Sequence, residues 1–295
     1  MNKLGIFMNF WEENWAADHI KYINKAAKIG FDILEFQAQP LLEMDNSRLD
    51  EIKKAAADAG ILLTYSVGLD KKYDLTSADS SVRSGGVEYL KRIVEKVAYL
   101  GGDIISGVSY EGWGSPSEII SYDDKQVRRE HSINCMKEIA GSAAGYGVTY
   151  CVEAVNRFEG VILNTAVEAV DYVKEVGLDN VGVLLDTYHM NIEENDMGEA
   201  IRHAGSLLKS FHTGENNRKP PGMGALDWDK VFKALKDIDF KGNIVSEPFV
   251  QMGGEVGRDI KTWRNLIPDP TEEKLDVAAK GLLEFTQSML RKYDM

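Results

Sequence analysis

The chain is poor in cysteine, with only Cys135 and Cys151 among its 295 residues. Two cysteines cannot build a disulfide framework, and their spacing matches no cysteine-rich zinc site, which indicates a reducing compartment. The sequence also lacks an apolar run of roughly 18 residues, the length that a membrane span requires, and its N-terminus lacks a long apolar signal core. These absences predict a cytoplasmic protein without a membrane partner, in which Cys151 is a small buried hydrophobe.

Acidic residues outnumber basic ones, with 47 Asp and Glu and 34 Lys and Arg. The formal net charge is −13 and the pI is about 4.9. Nucleic-acid-binding proteins normally present a basic face, and membrane-surface proteins present basic amphipathic helices. The composition therefore predicts no nucleic-acid partner and fits a protein that handles a small, uncharged substrate. A hydrophobic content of 44% supplies enough apolar residues for one large α/β domain or two small ones.

A helical segment, a glycine and a short β-rich run follow one another repeatedly, as in KAAKIG–FDILEF and GSAAGYG–VTYCVE. A glycine just past a helix end supplies the left-handed conformation that stops the helix, and Ile, Leu, Val and Tyr favour strands. With the N-terminal run LGIFMN the pattern gives eight strands, which predicts a single-domain (β/α)8 TIM barrel over residues 1–295. The alternative is an open doubly wound sheet, but no Gly-rich dinucleotide fingerprint follows a strand.

Helix-start signals and long connections lie where this alternation requires them. The expected capping residues are Ser47 with Asp50, Thr165 with Glu168, Asn195 and Asp227. A final amphipathic helix is expected over about 271–292. Long connections at about 108–123, 213–226 and 248–270 each follow a strand, so they are expected on one rim as lids or binding loops.

Four side chains that can bind metal close four consecutive strands in the second half of the chain. They are Glu153 in YCVEAVNRFE, Asp186 in VGVLLDTYH, His212 in LLKSFHTGE and Glu247 in NIVSEPF. A parallel barrel delivers such residues to one rim, where converging carboxylates repel each other unless a cation neutralises them. Three carboxylates and one imidazole suit Mn²⁺, Co²⁺ or Mg²⁺ better than a structural zinc, so the sequence predicts a divalent metal site.

Further polar residues follow these strand ends at short spacings. Glu159 lies six residues after Glu153, His189 three residues after Asp186, and Arg218 in the loop after His212; read alone, Arg218 is a surface charge. Aromatic residues, whose faces sugar sites use, also lie near strand ends, although each taken singly is better explained by core or loop packing. They are Phe7, Trp11, Trp15, Tyr110, Trp113 and Phe249. His19, His131 and His203 lie within helical patterns and are assigned no role.

The motifs GIFMNFWEENWAAD, EAVNRFE, LLDTYHMNIEE, FHTGENNR and SEPFVQMGGEVGRDIKTWR together resemble the ketose 3-epimerases. This is the D-psicose (D-allulose) and D-tagatose 3-epimerase group of the xylose-isomerase-like TIM barrels, and the resemblance runs from end to end. It implies metal-dependent epimerisation at C3 of a free ketohexose such as D-fructose, with D-tagatose or ketopentoses as other candidates. It also implies two-base proton transfer through a cis-enediolate, a Mn²⁺ or Co²⁺ cofactor and a homodimer or homotetramer.

The resemblance also implies residue roles. Glu153 and Glu247 would be metal ligands and the two catalytic acid/bases, and Asp186 and His212 would complete the metal shell. The substrate-binding residues would be Glu159, His189 and Arg218 at O1–O3 of the sugar, and Phe7, Trp15, Trp113 and Phe249 around the pocket. Phe7 replaces a Tyr of many family members, and SVGLDKKYDL replaces a GYGP-like pattern; both bear on the choice of sugar.

Three other functions are weighed against this one. An aldose–ketose isomerase would move the proton between C1 and C2 with nearly the same ligands. An apurinic-site endonuclease of the same superfamily favours a site richer in histidine and a basic DNA face, which five histidines and a charge of −13 disfavour. A non-catalytic sugar-binding barrel predicts a lost ligand, and none of the four is lost.

Overall fold

The computed structural model describes residues 2–114 and 121–295, and the strands of these residues close into a parallel barrel in chain order. The strands are β1 Leu4–Phe7, β2 Ile33–Gln37, β3 Leu62–Gly68, β4 Ile104–Val108, β5 Thr149–Ala154, β6 Val181–Asp186, β7 Leu208–Thr213 and β8 Asn243–Ser246. Because β8 pairs with β1 through Leu4 and Ile244, no edge is left open. The single-domain (β/α)8 barrel is confirmed, and the alternative of an open doubly wound sheet is wrong.

Helices follow each strand along the chain. They are α1 His19–Ile29, α2 Asn46–Ala59, α3 Ser80–Tyr99, α4 Tyr122–Ala144, α5 Ala166–Val176, α6 Thr187–Glu193, α7 Met197–Ala204, α8 Trp228–Asp237, α9 Gly254–Asp259 and α10 Glu272–Lys292. The predicted final helix is α10, capped by Thr271. Within the described ranges, none of these helices has both the length and the apolar character needed to cross a bilayer.

Alternating strand residues fill two separate layers of core. Leu34 and Phe36 of β2 belong to the apolar layer between the barrel and its helices, whereas Ile33 and Glu35 point into the barrel. The interior is so tightly filled that a Cβ at Gly5 would lie 2.8 Å from Cβ of Ile33. Cys151 is fully buried, as predicted, and burial raises the pKa of its thiol to about 12. The tightly packed interior therefore holds the strand ends in fixed positions.

Local capping residues are predicted correctly in two cases and wrongly in two. Thr165 and Glu168 form the complete capping box of α5, and Asp227 caps α8. The Ser47–Asp50 prediction is wrong, because Asp45 caps α2 and accepts from Arg48 N at 2.9 Å.

Asn195 is also wrong as a cap, because its neighbour Asp196 accepts from Gly198 N and Glu199 N at the start of α7. Asp196 is held in this position by Lys230 of α8, whose Nζ lies 2.9 Å from its carboxylate. In both cases a carboxylate close by in sequence displaces the expected cap.

The three long connections predicted from the sequence differ in their local structure. The connection at 213–226 has no helix, and that at 248–270 includes the short helix α9. Part of the expected connection at 108–123, namely residues 115–120, lies outside the described residues.

Candidate active site

The four predicted metal ligands meet at the carboxyl ends of β5 to β8. Glu153, Asp186 and His212 lie in the last residues of their strands, and Glu247 follows β8 directly. Each is buried, and each offers one ligand atom that lies within 4.8 Å of the other three. Asp186 and His212 are register partners in neighbouring strands, so strand pairing itself brings their side chains together. The barrel thus gathers three carboxylates and one imidazole in one pocket.

The donor set of this pocket fits a divalent cation. Oε1 of Glu153 and Nδ1 of His212 are buried without a hydrogen-bond partner among the described residues. Burial, with the charge of Glu247 next in importance, raises the pKa of Glu153 well above its usual range, and burial also raises the pKa of Asp186. Free acceptors and mutually repelling buried carboxylates are what a bound cation would satisfy, so Glu153, Asp186, His212 and Glu247 would hold it.

Glu35 of β2 lies on the far side of His212, and sequence reasoning missed it. Nδ1 of His212 faces Oε2 of Glu247 at 3.7 Å, whereas Nε2 lies 3.0 Å from Oε1 of Glu35. Oε2 of Glu35 accepts from Thr64 Oγ1 at 2.7 Å. A carboxylate behind a ligating imidazole fixes the orientation of the ring and raises its basicity. The signal in the sequence is a lone charge inside the apolar strand run FDILEF.

Arg218 is buried in the site, not a surface charge. Its Nη1 lies 3.3 Å from Asp186 Oδ2 and 3.5 Å from Glu247 Oε2, and its Nη2 lies 3.6 Å from Glu159 Oε1. The guanidinium stacks over the Tyr188 ring, 3.8 Å from its centroid, which favours a cation. Arg218 therefore offsets part of the negative charge and presents donors to the cavity.

His189 and Glu159 lie next to Arg218 and line the same cavity. The Asn156 backbone N–H donates to Nδ1 of His189 at 3.1 Å, so the ring proton lies on Nε2, which is 3.5 Å from Glu153 Oε1. Burial lowers the pKa of His189. Burial acts to raise the pKa of Glu159, but His189 and Arg218 outweigh it and lower that pKa. The wall thus carries one N–H donor and one ionised acceptor.

Three of the four predicted aromatic residues line this cavity, which has an empty volume of about 390 Å³, part of it open to solvent. Trp15 packs edge to face on Trp113 and on Phe249, with ring centroids 6.0 and 6.3 Å apart. Trp113 Nε1 also donates to Glu159 Oε2 at 3.1 Å. Phe7 lies behind this wall and packs on Phe249 at 5.8 Å.

Sequence reasoning also missed much of the cavity floor. Gln37, Ser66 and Gly68 line it from β2 and β3, and Gly107 and Val108 from β4. These residues carry no distinctive chemistry in the sequence. They become recognisable only because they end strands of the closed barrel, at the rim that holds the candidate ligands.

Known proteins match this chain over nearly its whole length. A model of the xylose isomerase-like TIM barrel family matches residues 23–266. D-Psicose 3-epimerases of Agrobacterium fabrum and Ruminiclostridium cellulolyticum are each 42% identical over 288 residues, which is 98% of this chain and 99% and 98% of theirs. The crystal structure of the D-psicose 3-epimerase of Clostridium cellulolyticum H10 with D-tagatose superposes with a TM-score of 0.95 at 42% identity, covering 98% of this chain and 99% of that one.

The candidate metal cluster, the cavity beside it and these relatives lead to one conclusion. The chain belongs to the ketose 3-epimerase family of xylose isomerase-like TIM barrels, which are isomerases acting on sugars.

Proposed function

We propose that this enzyme epimerises free ketohexoses at C3 in a metal-dependent reaction, with D-fructose and D-psicose as the reference pair. The observation that carries the proposal is the position of Glu153 and Glu247, each offering an oxygen to one buried cluster beside the cavity. The relatives named D-psicose 3-epimerase, and a similar structure determined in the presence of D-fructose, support the same substrate class. D-Tagatose and ketopentoses remain candidate substrates.

Inversion at C3 requires two bases, because a single base returns the proton to the face from which it came. One glutamate removes the C3 proton to give a cis-enediolate, and the other delivers a proton to the opposite face. Glu153 and Glu247 come from β5 and from the end of β8, with Asp186 and His212 on the strands between them. A divalent ion, Mn²⁺ or Co²⁺ in preference to Mg²⁺, would supply charge that stabilises the developing oxyanion.

The remaining polar residues hold the sugar near O1–O3. The Nε2–H of His189 and the guanidinium of Arg218 donate hydrogen bonds, and the ionised Glu159 accepts one. Trp15, Trp113 and Phe249 contact the apolar side of the sugar. Phe7 packs on Phe249 and so affects the sugar only indirectly. A cytoplasmic location and a homodimeric or homotetrameric assembly stay predictions from the sequence.

The test compares Glu153→Gln and Glu247→Gln with Glu199→Gln, a control on the exposed side of α7. With Mn²⁺ present we expect both site variants to lose D-fructose epimerisation by at least about 100-fold, and the control to keep it. Metal binding is measured by calorimetry on the same samples, so that loss of the base is separated from loss of the ion. Normal epimerisation by either site variant would contradict the two-base scheme.

Product identity separates this reaction from the aldose–ketose isomerase alternative. Incubation of D-fructose in D₂O should give D-psicose with deuterium at C3, whereas the alternative gives D-glucose or D-mannose with deuterium at C2. NMR of the products distinguishes the two. Formation of the aldoses without D-psicose would favour the isomerase.

A further inference from the structure

A second, larger cavity lies on the same rim, above β1 to β4. Its empty volume is about 1510 Å³, part of it open to solvent, against about 390 Å³ for the catalytic cavity. The candidate ligands and the acid/base pair all come from β5 to β8. We call this space the outer cavity. Its walls come from the loops after β1 to β4, from Tyr89 of α3 and from Glu255 and Asp259 of α9.

The outer cavity is continuous with the catalytic cavity. Trp15, Gln37, Gly68 and Trp113 line both spaces. Trp113 stands directly on Gly68, where a Cβ would lie 3.1 Å from the indole Cε3. Since Arg218 and Glu159 hold the O1–O3 end of the sugar near the ligands, the other end of a ketohexose extends towards these shared residues. A substituent on the terminal oxygen would therefore enter the outer cavity.

The lining of the outer cavity has the chemistry of a carbohydrate subsite. Tyr73 and Tyr89 stack at 4.0 Å and, with Trp15 and Trp113, provide aromatic surface for sugar C–H groups.

Two amide oxygens in the lining lack donors. Oε1 of Gln37 and Oε1 of Gln39 are buried and have no hydrogen-bond partner among the described residues. Gln39 is oriented by its own Nε2, which donates to Gly68 O at 2.9 Å. Buried acceptors without donors cost free energy, and sugar hydroxyls would satisfy them.

The charge of the outer cavity selects against phosphate. Among the described residues of its lining, four are carboxylates and one, Lys72, is a cation. Lys72 lies 3.6 Å from Asp70, and Arg258 pairs with Asp259 at 2.8 Å, so two of the carboxylates have no cation as a partner in these pairs. The acidic residues are Glu43, Asp70, Glu255 and Asp259. A dianionic phosphate ester would meet repulsion there, whereas a neutral hydroxylated group would not.

We propose that the outer cavity is a subsite for a neutral sugar unit linked to the terminal hydroxyl of the ketose, so that the enzyme epimerises 6-O-glycosyl ketoses as well as free ones. The inference rests on the proposed function, because the ketose unit must still react at C3. One proton leaves C3 and one returns on the opposite face, while the glycosidic bond stays intact, so no co-reactant is needed.

The test compares turnover of D-fructose, isomaltulose (6-O-α-D-glucosyl-D-fructose), its 1-O-linked isomer and D-fructose 6-phosphate by the metal-loaded enzyme. We expect isomaltulose to be epimerised at C3 with a KM at least about fivefold below that of D-fructose. The 1-O-linked isomer should fail, because its glucose would have to occupy the end held by Arg218 and Glu159, and the phosphate ester should be poorer than D-fructose. NMR of the products identifies the inverted carbon.

Two variants test whether the outer cavity causes this preference. Ala16→Trp fills the cavity from an exposed position, and Tyr89→Ala removes part of its aromatic wall. Each should lower the ratio of isomaltulose to D-fructose kcat/KM by about 10-fold. Tyr99→Ala, on α3 but away from the cavity, should leave the ratio unchanged.

The outcomes distinguish the subsite from the proposed function. If D-fructose is turned over and isomaltulose is not, the subsite is overturned and the proposed function stands. The same holds if neither Ala16→Trp nor Tyr89→Ala changes the ratio of isomaltulose to D-fructose kcat/KM. If isomaltulose is turned over and no free ketose is, the result supports the subsite and replaces the proposed substrate. No turnover of any of these ketoses overturns both.

Discussion

At the scale of single residues, Glu111 is a buried carboxyl that the proposed chemistry does not use. It follows β4, and its Oε1 accepts from the backbone N–H of Val161 and Ile162 at 3.2 and 3.1 Å. These bonds tie the β4 loop to the segment that carries Glu159. Burial raises the pKa of Glu111 to about 7, although the two N–H donors act in the opposite direction. The protein therefore tolerates an unfavourable carboxyl that holds two cavity-lining segments together.

This shift predicts a pH-dependent contribution to stability. The unfolded chain ionises Glu111 near pH 4.5, whereas the folded protein keeps it protonated up to about pH 7. The folded state thus binds more protons between these values, and the contribution of Glu111 to stability is present below pH 4.5 and lost as the pH rises through 7. The loss amounts to about 3 kcal/mol.

Glu111→Gln keeps an acceptor at this position and removes the titration. We expect the variant to gain stability relative to wild type as the pH rises from 5 to 8, as measured by urea unfolding at both values. Glu95→Gln, an exposed position on α3, serves as the control and should show no such trend. An equal pH trend in wild type and Glu111→Gln would show that the carboxyl does not titrate in this range.

At the scale of elements, the connection between β7 and α8 is a closed loop built around Glu215. The carboxylate accepts from Gly222 N at 2.8 Å and from Trp228 Nε1 at 2.7 Å, and its backbone carbonyl accepts from Arg218 N at 2.9 Å. The loop holds Arg218 at a φ of +62°, a conformation that costs a residue with a side chain about 1–3 kcal/mol. Arg218 is therefore placed by the loop and not by its own preference.

Trp228→Phe removes one donor to Glu215 and keeps most of the packing. We expect a stability loss of about 1–3 kcal/mol and a KM for D-fructose raised several-fold, because Glu215 is left incompletely paired and Arg218 loses its fixed position. Kinetics and thermal unfolding measure the two effects. Trp263→Phe changes an exposed tryptophan and controls for loss of an indole. A stability loss with an unchanged KM would mean that other contacts hold Arg218.

The capping errors also belong to the scale of elements. Ser47 and Asn195 have the right residue types for N-caps, but Asp45 and Asp196 take these roles. A capping pattern is satisfied by any short polar residue within a turn of the helix start. Which one is used depends on where the preceding segment ends, as for α2 after the turn at Gln39–Glu43, and on partners from other elements, as for Lys230 with Asp196.

At the scale of the whole molecule, closure of the barrel concentrates negative charge at one point. Glu153 and Glu247 are 94 positions apart in sequence, yet both belong to the buried cluster with Asp186 and His212. Folding without a cation must bring these carboxylates together against their repulsion. A bound divalent ion would therefore stabilise the native barrel and not only its activity.

Mn²⁺ should raise the melting temperature of the metal-free protein. Binding to the folded state alone contributes about 2.7 kcal/mol at a free metal concentration of 100 times Kd. His212→Asn should lose most of the shift, whereas His203→Asn, on α7 outside the cluster, should keep it. Scanning calorimetry with and without a chelator measures the shift. An equal shift in wild type and His212→Asn would place the bound ion elsewhere.

The sequence by itself determined the barrel, because its local signals repeat: eight strand runs, seven of which follow a helical segment and a glycine. It also singled out the four candidate ligands, since a charged residue that closes an apolar strand is conspicuous. Only the tertiary structure decided that Glu35 lies behind His212, that Arg218 is buried, that Phe7 lies behind Phe249, and that Gln37 and Gln39 face a second cavity. These contacts join residues whose separation along the chain carries no periodic signal, because strand register and barrel closure bring them together.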